Sequence, residues 1–177
     1  KPLHQILANN LVANITNFTV WFAVTFWVFL ETQSVFATGM IAGIFLVFTA
    51  ALGFWLGSIV DHNPKKLAMQ GSSLVSACFY LLALILLLME PDGAFRDPYG
   101  PYLWAFVLVT MAGVMAGNLR SIALPTLVTI LVPEPERDKA NGLVGMVSGI
   151  GFLTTSVISG FLVAYTGMFG VLVMALV

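Results

Sequence analysis

Long apolar runs alternate with short polar interruptions along the whole chain. The complete runs cover residues 6–30, 35–60, 67–89, 102–131 and 141–165, and a further run begins at 168–177. Each complete run reaches about 20 residues or more, which an α-helix needs to cross the hydrocarbon core of a bilayer. Because backbone polar groups in lipid must pair within their own segment, the pattern predicts an all-α membrane protein. It would have five complete transmembrane helices and the start of a sixth.

The connections between these runs are short, so neighbouring helices should run antiparallel. Positive charge is distributed unequally over the connections: five basic residues fall on one side and only Arg96 falls on the other. The five are Lys1, Lys65, Lys66, Arg137 and Lys139. Because Lys and Arg accumulate in cytoplasmic loops, we expect the N-terminus and the 61–66 and 133–140 loops to lie in the cytoplasm. The location expected for the protein is therefore the cell (inner) membrane, crossed several times.

Composition agrees with a polytopic membrane protein. The chain is 59% hydrophobic and 8% charged, whereas soluble domains average about 25% charged residues. The net charge of −1 gives no reason to expect nucleic acid binding. No cluster of His, Cys, Asp and Glu has metal-ligand spacing, and no nucleophile lies in register with a base, so neither an enzyme nor a cofactor or metal site is predicted.

Arg120 is the most costly residue in the chain for a membrane environment. It lies well inside the fourth run, where an arginine costs about 3 kcal/mol or more and usually faces a partner or a water-filled cavity. One interpretation is a site that senses protonation or binds an anionic or polar group of a substrate. The other is a structural arginine that reaches the inner interface or pairs with an acid of a loop.

Three asparagines and a tryptophan share one face of the first run, since Asn10, Asn14, Asn17 and Trp21 follow each other at spacings of four, three and four. Such a polar stripe should avoid lipid. Asn14, Asn17 and Trp21 could line a substrate path, with the amides as hydrogen-bonding groups and the indole as a stacking surface. Alternatively, the asparagines hold the helices together through hydrogen bonds worth about 0.6–2 kcal/mol each.

The fifth run is rich in small residues at four-residue spacing, in two pairs: Gly145 with Gly149, and Ser156 with Gly160. This spacing lets helix backbones approach closely, so we expect these four positions to pack against another helix. A close contact of this kind is also where two halves of a transporter could slide against each other.

The connection between the second and third runs carries a more specific pattern. Gly57 is followed after four residues by Asp61 and then by the pair Lys65 and Lys66. This spacing resembles the signature loop of the major facilitator superfamily of secondary transporters. His62 and Pro64 stand where that signature has a basic residue and a glycine.

A second resemblance lies in the fourth run. Gly113, Gly117 and Arg120 are similar to the motif whose arginine is implicated in proton coupling in drug/proton antiporters of this superfamily. The related motif of the fifth helix has a Gly-Pro pair, where this chain has Thr155 and Ser156.

The resemblance implies that residues 1–177 form the N-terminal six-helix bundle of a two-bundle transporter, as a fragment whose C-terminal half is its expected partner. It also implies transport of a small-molecule substrate by alternating access, driven by a proton gradient, in a protein that works as a monomer. Asp61, with Lys65 and Lys66, would hold an inner gate, and Arg120 would couple proton or substrate occupancy to that gate. Proton-coupled efflux is the leading hypothesis. An uptake symporter for a nutrient, or a receptor or interaction subunit that does not transport, stays open.

Overall fold

A computed structural model describes residues 2–177, and side chains from His4 onward. This range contains five long helices: α1 (Pro2–Thr32), α2 (Val35–His62), α3 (Lys65–Leu88), α4 (Pro101–Leu131) and α5 (Arg137–Leu176). Short 3₁₀ turns at Ala94–Arg96 and Glu134–Glu136 lie in the third and fourth connections. All five helices are long and apolar enough to cross a membrane, so the predicted fold class is confirmed. Lys1, which was counted among the cytoplasmic charges, lies outside the described residues.

Local sequence explains where the helices begin and end. The Ser34 hydroxyl caps α2 by accepting a hydrogen bond from the Ala37 amide at 3.1 Å. At the other end of α2 the Lys65 ammonium donates to the Val60 carbonyl, which places a positive charge at the negative end of the helix dipole. Pro101 occupies the first turn of α4, where a missing amide hydrogen costs nothing.

The last helix is interrupted near its end. An unbroken helix of 40 residues would be about 60 Å long, twice the thickness of a bilayer core of about 30 Å. Gly167 breaks it with a φ of 61° and a ψ of −157°, a conformation that residues with a Cβ rarely adopt. Residues 137–166 therefore make one span. The following residues turn back, so that Met168, Val171 and Leu172 are buried in the bundle.

Side-chain contacts fix the directions of three helices. Along α4, Asn118 meets Asn17 of α1, while Arg120 meets Asn9, so α1 and α4 run antiparallel. Serines of α3 bond to successively earlier carbonyls of α4 as the α3 numbering rises, so these two helices are antiparallel as well. The two connections that hold Lys65 and Arg137 consequently lie at the same end of the bundle.

A cluster of buried aromatic side chains lies at the opposite end. Phe95, in the 3₁₀ turn, is 1% exposed and packs edge-on against Trp27, with ring centroids 4.9 Å apart. Phe106 of α4 contacts both rings, at 5.1 Å from Trp27 and 5.2 Å from Phe95. Large apolar side chains such as Phe54 and Trp55 of α2 are exposed on the outside of the bundle, as a helix in lipid requires.

The expectation of close helix packing at four small residues of α5 is not met inside this bundle. Gly145, Gly149, Ser156 and Gly160 are all exposed. In residues 2–177, a Cβ built on any of the three glycines would have no atom within 4 Å. The reason is the orientation of α5, which buries Gly151, Thr155, Ser159 and Val163 at four-residue spacing and leaves the other small residues outside.

Candidate functional site

Two glycines of α4 make room for polar side chains of its neighbours. A Cβ on Gly113 would lie 2.6 Å from the ring of Tyr80, and a Cβ on Gly117 would lie 2.5 Å from the amide oxygen of Asn17. No real side chain tolerates such distances, so glycine at these positions allows α1 and α3 to approach α4 closely. The four-residue spacing of the glycines places both openings on one side of α4.

Asn17 occupies the space that Gly117 leaves and joins three helices. Its amide nitrogen donates to the Val114 carbonyl at 2.9 Å and to the Asn118 side-chain oxygen at 3.0 Å, both on α4. Its amide oxygen accepts a hydrogen bond of 2.7 Å from the Tyr80 hydroxyl of α3. Asn17 is 7% exposed, so these contacts satisfy a polar group that would otherwise be costly to bury.

Two buried serines fasten α3 to α4 in the same region. The hydroxyls of Ser72 and Ser76 donate to the carbonyls of Ala116 and Gly113, the latter at 2.7 Å. Because these carbonyls belong to the helix backbone, the bonds place Tyr80, one turn beyond Ser76, directly beside Gly113.

Arg120 extends this polar region toward the end that carries Lys65. It lies about 28 Å along α4 from Pro101 and about 16 Å from Leu131, so it is at membrane depth. Its Nε donates to the Ser73 hydroxyl at 2.9 Å, its Nη2 donates to the same oxygen, and its Nη1 donates to the Asn9 amide oxygen at 2.6 Å. All of these acceptors are neutral. Arg120 thereby bridges α1 and α3 from α4.

These side-chain bonds form two separate groups, one around Arg120 and one around Asn17, which together we call the polar network. Its residues come from α1, α3 and α4 and comprise Asn9, Asn17, Ser73, Tyr80, Asn118 and Arg120. A cavity of about 230 Å³ opens beside the network. Its polar lining includes Asn17, Ser73, Tyr80 and Arg120, while Val12 and Ala77 contribute apolar surface. We call this space the Arg120 cavity.

The other stripe residues of α1 face different partners. Asn14 is buried and accepts a hydrogen bond of 3.1 Å from the Ser121 hydroxyl. Trp21 stacks on Phe45 of α2 with ring centroids 3.9 Å apart, and it is not among the residues that line the Arg120 cavity. Asn10 is 1% exposed, and neither atom of its amide has a hydrogen-bond partner among residues 2–177. The predicted stripe is thus divided between several helix contacts.

The residues of the signature loop lie apart from the network, at the ends of α2 and α3. Asp61 and Lys66 are exposed, whereas Lys65 is half-buried because its ammonium caps α2. Gly57 has open space around it, since a Cβ there would meet no atom within 4 Å in the described part of the chain. Next to the loop, His62 contacts the Ser58 carbonyl through its Nδ1 at 2.8 Å.

Sequence reasoning missed four members of the polar network, namely Asn9, Ser73, Tyr80 and Asn118. It also missed Ser121 as the partner of Asn14. A signal for Tyr80 was available. Ser72 and Ser76 stand four residues apart in an otherwise apolar run, and Tyr80 follows at the same interval. That spacing puts all three on one face of a helix, which indicates contact with another helix rather than with lipid.

Comparison with known proteins adds one finding. The model of the Major Facilitator Superfamily matches residues 6–177, which is nearly the whole chain. Neither the curated proteins nor the solved structures contain a significant match.

Proposed function

The chain belongs to the major facilitator superfamily, a family of membrane transporters, and from this premise we propose that it acts in proton-coupled efflux of small molecules by alternating access. The observation that carries this proposal is Arg120, a charged residue at membrane depth that joins α1 and α3 from α4. Burying a charge at this depth is energetically costly, and charged residues found there usually mark a substrate or proton pathway.

The contacts of Arg120 are of a kind that can change between two conformations of the helices. They are hydrogen bonds to two short polar side chains on two different helices, Asn9 and Ser73, and not a packed apolar surface. Hydrogen bonds between transmembrane helices are worth only about 0.6–2 kcal/mol each, so they can be exchanged as helices shift. An acceptor that displaces Asn9 or Ser73 from the guanidinium, either a group of the substrate or an acid of the C-terminal half that has lost its proton, would release α1 from α3. This change would couple occupancy to the conformation.

Asp61, Lys65 and Lys66 are proposed to form the inner gate. Lys65 fixes the turn between α2 and α3 by its bond to the Val60 carbonyl. Asp61 and Lys66 are exposed at the same end and can form charge contacts with other helix ends in one of the two states. The excess of basic residues at this end supports its assignment to the cytoplasm.

A second bundle is proposed as the partner of this one, within a transporter that works as a monomer. Support comes from the small residues that α5 exposes, Gly145, Gly149, Ser156 and Gly160, since small residues allow close and sliding helix contacts. Asn14, Asn17 and Trp21 remain candidates for the wall of the substrate path. Their bonds to neighbouring helices also support a role in holding the bundle together.

The test uses the full-length protein reconstituted in lipid vesicles with an imposed pH gradient. Labelled ethidium, chloramphenicol and benzenesulfonate serve as cationic, neutral and anionic probes. An antiporter accumulates its substrate in vesicles that are acidic inside, because protons leave as the substrate enters. Accumulation only in vesicles that are acidic outside would instead identify an uptake symporter. If the flux of every probe is independent of the pH gradient, the proposal of proton coupling is contradicted.

A further inference from the structure

The charge of Arg120 is not compensated by any acid at membrane depth in residues 2–177. All eight acidic residues of the chain lie at helix ends or in connections. They are Glu31, Asp61, Glu90, Asp92, Asp97, Glu134, Glu136 and Asp138. The partners of the guanidinium, Asn9 and Ser73, are neutral and provide dipoles without a counter-charge. A cation in a medium of low dielectric gains most from an anion at short range.

The guanidinium also has N–H groups that its present hydrogen bonds do not use. An arginine side chain has five N–H groups, and the bonds to Ser73 and Asn9 use three of them. Arg120 lines the Arg120 cavity and is half-buried, so a ligand in this space can approach its side chain. A planar carboxylate matches two such N–H groups at once, which makes it a stronger acceptor than any neutral oxygen.

The cavity limits the size and character of what can bind. Its volume of about 230 Å³ is below the about 300–1,000 Å³ of sites that enclose a drug-sized ligand. The space therefore suits a small organic anion or the acidic end of a larger molecule. Val12, Ala13 and Ala77 also line this space and supply apolar surface, so the rest of the ligand should be apolar.

We propose that the Arg120 cavity binds the carboxylate of an amphipathic organic anion, with Arg120 as the anchoring cation. Asn9 and Ser73 hold the guanidinium in place, and the Tyr80 hydroxyl and the Asn17 amide line the same space as further hydrogen-bonding groups. This inference rests on the proposed transport function and specifies its substrate class. It concerns binding alone, so it can fail or hold independently of proton coupling.

The experiment measures equilibrium binding of radiolabelled benzoate and benzamide to the purified full-length protein in detergent at neutral pH. The two probes have nearly the same shape, but only benzoate is charged, because a carboxyl group ionises near pH 4. We expect wild type to bind benzoate at least about tenfold more tightly than benzamide, which corresponds to about 1.4 kcal/mol. Arg120→Gln should remove this preference and leave benzamide binding within about twofold, since the cavity keeps its walls.

Two further variants keep the test decisive. Arg120→Lys retains the charge and should keep a preference for benzoate, although a smaller one, since lysine lacks the planar fork. Arg96→Gln removes an exposed arginine in the connection at the opposite end and should change nothing. The proposal is overturned if wild type does not bind benzoate, if it binds both probes equally, or if Arg96→Gln lowers benzoate binding as much as Arg120→Gln does.

Discussion

Substitution of Gly117 by alanine would place a methyl group where the Asn17 amide now lies. The new Cβ would be 2.5 Å from the amide oxygen, 2.9 Å from the amide carbon and 3.1 Å from the amide nitrogen. The Asn17 side chain must therefore move. It cannot do so without lengthening its bonds to Tyr80, Val114 and Asn118.

The cost can be estimated from these contacts. An extra carbon in a well-packed site costs about 1–3 kcal/mol. Three weakened bonds between helices contribute about 0.6 kcal/mol each on average. Alanine has a higher helix propensity than glycine, which offsets about 1 kcal/mol of this loss of stability. We expect Gly117→Ala to lower the free energy of unfolding by about 2–4 kcal/mol after this gain.

The assay is thermal unfolding of the purified full-length protein in detergent, followed by circular dichroism at the helix band. Gly71→Ala in α3 is the matched control, because Gly71 is exposed and its Cβ would meet no atom within 4 Å among the described residues. That variant should unfold at the same temperature as wild type or slightly above it, since it gains helix propensity without a clash.

A double variant tests the proposed cause. If the clash with Asn17 is responsible, Gly117→Ala should cost little in a protein that already carries Asn17→Ala. The explanation is refuted if Gly117→Ala is as stable as Gly71→Ala. It is equally refuted if the cost of Gly117→Ala is undiminished in the Asn17→Ala background.

Four other predictions can be checked with the same thermal assay and with vesicle flux. Tyr80→Phe should destabilise by about 0.6–1.7 kcal/mol, because it keeps the ring and removes one buried bond; an unchanged unfolding midpoint would contradict this. Asn10→Leu should be neutral or stabilising, since that buried amide has no partner among residues 2–177, whereas Asn17→Leu should destabilise; equal costs would contradict the contact assignment. Lys65→Met should cost about 0.3–1 kcal/mol by removing a cation from the end of α2, and a larger loss would point to another role. Asp61→Asn should abolish flux at an unchanged unfolding midpoint, and normal flux would exclude Asp61 from the gate.

The fold class could be predicted from the sequence because lipid restricts the choices. A run of about 20 apolar residues in a bilayer has to be a helix, so Val35–His62 and Lys65–Leu88 needed no tertiary information. Arg120 was equally visible, since its cost does not depend on its neighbours. Long apolar runs, and a charged residue inside such a run, can therefore be recognised from the sequence alone.

The partners of those residues could not be predicted in the same way. The rotation of each helix decides whether a small residue faces its own bundle, and the small-residue spacing of α5 is the same on either face. The structure turns Gly145 and Gly149 outward, while Gly113 and Gly117 of α4 receive Tyr80 and Asn17. Ser73 became a partner of Arg120 only because α3 lies next to α4 in the fold.

Gradient-driven accumulation in vesicles tests most directly whether Arg120 couples protons to transport. The comparison is between full-length wild type and Arg120→Gln, with the probe that wild type transports and with Arg96→Gln as the surface control. Wild type and Arg96→Gln should accumulate the probe in vesicles that are acidic inside and lose it when nigericin collapses the gradient. Arg120→Gln should accumulate at least about tenfold less, equivalent to about 1.4 kcal/mol. Accumulation by Arg120→Gln at the wild-type rate and with the same dependence on the gradient would contradict the account.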